Sequence, residues 1–246
     1  MVRRSRTNNF QLRSLLMPEG LQIFNDAGFI QIDANYLNME LKNRGSGVIP
    51  PSNMAGGGAQ SSSITFTVNG ENPAIAVISE RMAACYLISR SGSSFTFAIY
   101  NGEDANNSVE WFQFDNSSAE GAGNSGFQVF NGVGRLVFDS NKKYLRVLDY
   151  WERGTGNLET RGYPGKRIAV IMCDYGYRFV VQNSPVDPGS QSYKFLQSQL
   201  DCAKTSGGSL SIQLTATWTN AYAPYNGEQN VVEGPSRWLV VDVTNF

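Results

Sequence analysis

The chain writes one phrase twice. Residues 20–33 read GLQIFNDAGFIQID and residues 126–139 read GFQVFNGVGRLVFD, with Gly, Gln, Phe, Asn, Gly and Asp at matching places. Three more segments recur in the same order. IAVI stands at 75–78 and 168–171, and GSSFTFAIY at 92–100 is answered by GSLSIQLTATW at 208–218. EWFQFD at 110–115 returns as RWLVVDV at 237–243, which aligns Trp111 with Trp238 and Asp115 with Asp242. The offset drifts from 106 to 93, then to near 115 and 127. Preserved order with a drifting offset is what a duplicated β domain leaves when the loops of each copy change length independently.

The repeated units read as strands. Leu21 to Phe24 and Phe29 to Asp33 flank Asn25-Asp26-Ala27-Gly28, and the copy keeps the device as Asn131-Gly132-Val133-Gly134. Asn or Asp followed by Gly between two short apolar runs is a hairpin signal, because Gly supplies the positive φ that such loops need. Further apolar runs at intervals of about eight to twelve residues, bounded by Gly, Pro, Asn and Ser, suit a sandwich or small barrel in each copy. One helix is expected within SQSYKFLQSQLDCAKTSGG (190–208), where Tyr193, Leu196, Leu200 and Ala203 fall at helical spacing before a Gly-Gly stop. The expected fold is all-β: two tandem duplicated β-sandwich-like domains with long loops and one short helix. Residues 1–18 form a basic arm, 19–116 the first domain, 117–124 a Gly/Ser linker and 125–246 the second domain.

Composition narrows the chemistry. Charged residues are 17% of 246 and the net charge is −1, so there is no basic field to hold a nucleic acid. Histidine is absent, which removes Ser-His and Cys-His nucleophile pairs and the commonest zinc ligand. Cys85, Cys173 and Cys202 lack CxxC spacing and read as reduced, buried small side chains of a protein made in a cytosol. No metal or cofactor site is expected: there is no DxDxDG run, GEDANNS (102–108) reads as a turn, and the glycines of NMAGGGAQSSS (53–63) lack a following Lys-Ser/Thr. Neither a secretory leader nor a membrane-spanning run is expected.

Several residues remain as candidates. Asp33 and Asp139 end equivalent strands and are followed by Ala34-Asn35 and Ser140-Asn141, which suits turn capping better than a carboxylate pair. The stretch 139–157 interleaves Lys142, Lys143, Arg146 and Arg153 with Tyr144, Tyr150 and Trp151, a mixture that stacks and binds phosphate but equally makes a strand with a solvated face. The segment 215–238 reads as an aromatic loop absent from the first copy. Its Trp218, Tyr222 and Tyr225 offer flat contact area for a glycan or a protein partner. Arg3, Arg4, Arg6 and Arg13 make the arm a candidate assembly element. An alternative from another class is a glycan-degrading enzyme, for which Asp149, Glu152, Asp174 and Glu228 are the available acids.

The phrase GFQVFNGVGRLVFDSNKKYLRVLDY, preceded by SVEWFQFD and a Gly/Ser linker, resembles small virion proteins of tailed bacteriophages, which open with a GLQ(I/V)FN…G…D(S) pattern. The likeness spans roughly residues 19–150. It implies a non-enzymatic structural component of the tail or tail tip, assembled in multiple copies in the host cytoplasm and localised to the virion. Its partners would be other tail proteins, further copies of itself and a host surface glycan or receptor, with no membrane insertion. A capsid-surface or cement protein on the same scaffold is the alternative.

Overall fold

The computed structural model describes residues 21–52, 61–118, 123, 125–153, 158–184, 193–222 and 230–246; for the strands between 177 and 198 and between 216 and 233 only the backbone is described. The first half contributes β1 (Gln22–Phe24), β2 (Ile30–Asp33), β3 (Met39–Ile49), β4 (Ser63–Asn69), β5 (Ala74–Ser79), β6 (Ala83–Ser91), β7 (Ser94–Asn101) and β8 (Asn107–Asn116). The second contributes β9 (Gln128–Phe130), β10 (Leu136–Asp139), β11 (Val147–Arg153), β12 (Glu159–Gly162) and β13 (Ile168–Asp174). It continues with β14 (Tyr177–Ser184), β15 (Tyr193–Ser206), β16 (Ser209–Tyr222), β17 (Asn230–Gly234) and β18 (Ser236–Asp242). The described residues contain no helix, and the fold is all-β and sandwich-like.

Two large antiparallel sheets carry the molecule. One is six-stranded in the order β11-β18-β13-β5-β8-β3. The other is eight-stranded in the order β12-β16-β15-β6-β7-β4, with β14 attached beside β15 and β17 beside β14. Each order reads the same from either end once β3, β5 and β8 are matched with β11, β13 and β18, and β4, β6 and β7 with β12, β15 and β16. The halves therefore meet about an approximate two-fold axis. In the six-stranded sheet they meet by self-recognition, because Val77 of the first IAVI lies opposite Val170 of the second, its own equivalent. The eight-stranded sheet is joined at Ala83 and Ala203.

Side-chain alternation explains the layers. Ile75, Val77 and Val109 face β6 and β7 and pack with Cys85, Phe97 and Ile99. On the second half Ile168, Val170 and Val240 pack with Ala203, Leu210 and Ile212. The alternate residues Ala76, Phe112, Phe114, Ala169, Ile171 and Val241 point the other way and form a further core with Met39, Leu41, Leu145 and Val147. That core is enclosed because the outer strands of the sheet are tied at one end. The Leu41 amide donates to the Lys143 carbonyl (2.7 Å) and the Leu145 amide to the Met39 carbonyl (2.8 Å). Buried Glu40 secures the seam by accepting from Lys142 Nζ (2.9 Å) and from Lys42.

The helix expected within 190–208 is instead β15, paired along its length with β16 from Lys194–Tyr222 to Ser206–Ser209. Its other edge pairs β14 over Tyr193 to Leu200 and touches β6 at Ala203. A segment with a strand on both sides satisfies its backbone through the ladder, and this overrides a helical spacing of apolar residues. Much of the aromatic loop expected over 215–238 is likewise strand, since β16 runs to Tyr222 and β17 returns to pair with β14.

Candidate functional site

The repeated phrase builds two small hairpins, β1–β2 and β9–β10, with one hydrogen-bond plan. Gln22 lies opposite Asp33, and Gln128 opposite Asp139. In each, the Gln amide donates across the strands to the Asp carboxylate, at 2.6 Å and 2.9 Å. Asn25 Oδ1 accepts from the Ala27 and Phe29 amides (3.1 and 2.9 Å), and Asn131 Oδ1 from those of Val133 and Arg135 (3.2 and 2.9 Å). Gly28 and Gly134 close the turns at φ of +84° and +77°, a conformation that a side chain would strain. Asp33 and Asp139 each cap the following turn through the amides of Asn35 and Asn141, both at 2.8 Å. The amide of Asn141 beside it, the Gln128 side chain and the Gly123 amide hold the Asp139 carboxyl well below its ordinary value, at about 2. These carboxylates build turns, as their sequence context suggested.

Each hairpin leans on the opposite half. Asn25 Nδ2 donates to the Val147 carbonyl (2.8 Å), and the Val137 carbonyl accepts from Asn38 Nδ2 (2.7 Å) and Ser117 Oγ (3.2 Å). The outward faces are apolar at equivalent places. Leu21 and Phe127 are exposed, as are Phe24 (50%) and Phe130 (53%), with Ile23 and Ile30 on one hairpin and Val133 (87%) on the other. Two apolar patches related by the internal two-fold are thus offered outward, and exposed apolar patches of this kind mark interaction surfaces.

The remaining candidates separate. Tyr150 and Trp151 are neighbours in β11 and point to opposite faces. Tyr150 is 42% exposed and donates to Glu152 (3.1 Å), whereas Trp151 is 1% exposed and packs on the second-half core. Trp218 and Tyr222 lie in β16, opposite Ser198 and Lys194, so the reading of both as loop residues is corrected to strand. Tyr225 and the arm residues Arg3, Arg4, Arg6 and Arg13 lie outside the described residues. The basic residues of 139–157 are engaged internally. Lys142 joins Glu40, Lys143 donates to the Asn245 carbonyl, Arg146 donates to the Thr244 carbonyl (2.6 Å) and Arg153 pairs with Asp201.

The acids considered for glycan cleavage are also paired. Asp149 accepts from Arg161 (2.9 Å) and Tyr163 (2.7 Å), Glu152 from Arg237 (3.1 Å) and Asp174 from Arg237 (3.1 Å), while Glu228 lies outside the described residues. Among the described residues no three or more Cys, Asp or Glu cluster as metal ligands, and no helix is long and apolar enough to cross a membrane. Cys85 and Cys202 are buried as expected, but Cys173 is exposed. The hairpin patches were missed at the sequence level because the short apolar runs were read only as strands flanking a turn. The signal was present in the repetition of Phe24 as Phe130, which neither alternation nor turn chemistry requires. No protein-family model, curated protein or solved structure matches this chain.

Proposed function

We propose that this chain is a non-catalytic structural protein of a bacteriophage tail or tail tip, assembling in multiple copies through its two apolar hairpins. The support is the equivalent exposure of Leu21 and Phe127, and of Phe24 and Phe130, on hairpins whose turns are closed by their own hydrogen bonds. A turn that satisfies its own backbone has no structural need for outward phenylalanines, and burying them against a neighbour gains roughly 25 cal/mol per Å². The residues that carry the resemblance to tail proteins are these same hairpins.

Sedimentation of the purified protein over a range of concentrations tests the assembly. The wild type is expected to self-associate, and Phe24→Ser/Phe130→Ser to stay monomeric with an unchanged thermal midpoint. A wild type that sediments as a monomer throughout removes self-assembly from the proposal. Gold-labelled antibody on phage particles tests the place: label on the tail supports the reading, label on the head replaces it with a capsid-surface protein, and unlabelled particles end it.

A further inference from the structure

The halves depart from their two-fold relation at a junction between the sheets. A cleft of about 650 Å³ opens there, lined by Ile75, Cys85, Leu87, Phe97, Met172 and Leu200 among others. Cys85 and Met172 have Asp201 and Ser79 as their counterparts across the axis. Asp201 faces Leu214 as Cys85 faces Ile99, and Met172 stands four residues after Ile168 as Ser79 does after Ile75. At those counterpart positions the side chains are polar and hydrogen-bonded. Asp201 is filled against Arg153 and Ser236 Oγ (2.6 Å), and the Ser79 amide donates to Thr205 Oγ1 (3.0 Å), tying β5 to β15. The apolar lining of the cleft is therefore not something the sandwich requires.

We propose that this cleft is a binding site for a neutral, mainly apolar small molecule carrying an aromatic ring. Its volume falls among those of small-molecule pockets, roughly 300–1,000 Å³. The walls are aliphatic and aromatic side chains with a polarisable thioether. Tyr86 in the lining is stacked on Tyr100 (4.8 Å between centroids, 8° between planes), with Tyr175 of the same lining at 6.4 Å, so aromatic rings form part of the wall. Asp174 is the charged residue in the lining, and its carboxylate is committed to Arg237 at 3.1 Å. A ligand charge carried inside would meet apolar wall without a counter-ion, which selects against ions. The site is independent of the hairpins and does not rest on the assembly reading.

The neutral fluorophore N-phenyl-1-naphthylamine is the probe. Saturable binding at one per chain is expected, retained by Phe24→Ser/Phe130→Ser and weakened about tenfold or more by Leu87→Trp, which adds bulk to the lining. Its sulfonated analogue, 1-anilinonaphthalene-8-sulfonate, has similar rings and is expected to bind about tenfold more weakly. A measurement without substitution stands beside these. Cys173 lines the cleft and is exposed, while burial pushes the Cys85 and Cys202 thiols up to about 12, so maleimide labels Cys173 first and the probe slows that labelling. Non-saturable binding, equal affinity for the sulfonate, or labelling of Cys173 at the same rate with and without probe each overturns the assignment.

Discussion

In the first half Trp111 lies opposite Gly45, and its ring stacks on Phe66 at 4.4 Å and 10°. In the second half its equivalent Trp238 lies opposite Trp151, which occupies the position of Gly45. Where the first half has Phe66, the second has Glu159, which accepts from Trp151 Nε1 (3.2 Å). Nearby, Val109, opposite Gly47, and Cys85 belong to one apolar core, and the counterparts of these three, Ser236, Arg153 and Asp201, make a buried ion pair capped by a hydroxyl. Burial pushes the Asp201 carboxyl up, while the Ser236 hydroxyl and the Arg153 guanidinium act to hold it down. One backbone thus accepts two fillings, one apolar and one ionic. The strand order is fixed by pairing and alternation, and the core chemistry is free to diverge if volume and polar satisfaction are kept.

Substitutions that convert one half toward the other put this comparison at risk, and the largest effect is expected at the ion pair. Asp201→Leu takes from the buried Arg153 guanidinium its closest carboxylate, leaving Glu159 at 3.5 Å, and is expected to cost about 3 kcal/mol in denaturant unfolding. The triple change Arg153→Leu/Asp201→Leu/Ser236→Val imitates the first half and is expected to recover most of that loss. If the triple variant is as unstable as the single one, the two fillings are not interchangeable. At the tryptophans, Trp151→Ala removes the second-half filler and is expected to cost about 3–5 kcal/mol. The reverse change in the first half is smaller. A Cβ at residue 45 would stand 2.5 Å from the Trp111 ring, which Phe66 backs, so Gly45→Ala is expected to cost about 1–3 kcal/mol. A neutral Gly45→Ala would show that Trp111 can move aside, against the packing described.

The smallest effect is at the second hairpin and is read by pH. The Asp139 carboxyl lies near 2 in the folded chain, against about 3.9 for an ordinary aspartate. Its contribution is therefore complete above about pH 4 and is lost as pH falls toward about 2. Thermal midpoints measured across that window are expected to fall more steeply for the wild type than for Asp139→Asn. Parallel curves would remove the capping role from this carboxylate.

The duplication and the hairpins were legible in the sequence because turns and strands speak through neighbouring residues. Asn25, Gly28 and Asp33 recur as Asn131, Gly134 and Asp139, and every one of them serves the turn. What escaped depended on distant partners. Tyr193, Leu196, Leu200 and Ala203 mimic a helix, and only pairing of β15 on both edges decides otherwise. Tyr150 and Trp151 look like one aromatic site until the pleat sends them to opposite faces. The Arg153–Asp201 pair joins residues 48 apart, and the first copy holds no ionic echo that could have announced it. The cleft was invisible for the same reason, since its walls come from both halves.

The self-pairing of the two IAVI strands has a consequence for synthesis. As the chain leaves the ribosome, β5 has β8 beside it and β6 has β7, yet each keeps one open edge until β13 and β15 emerge a whole half-chain later. During that interval the unfinished protein presents sticky strand edges shaped to accept a near copy of themselves, and in a crowded polysome the nearest such copy belongs to the neighbouring nascent chain.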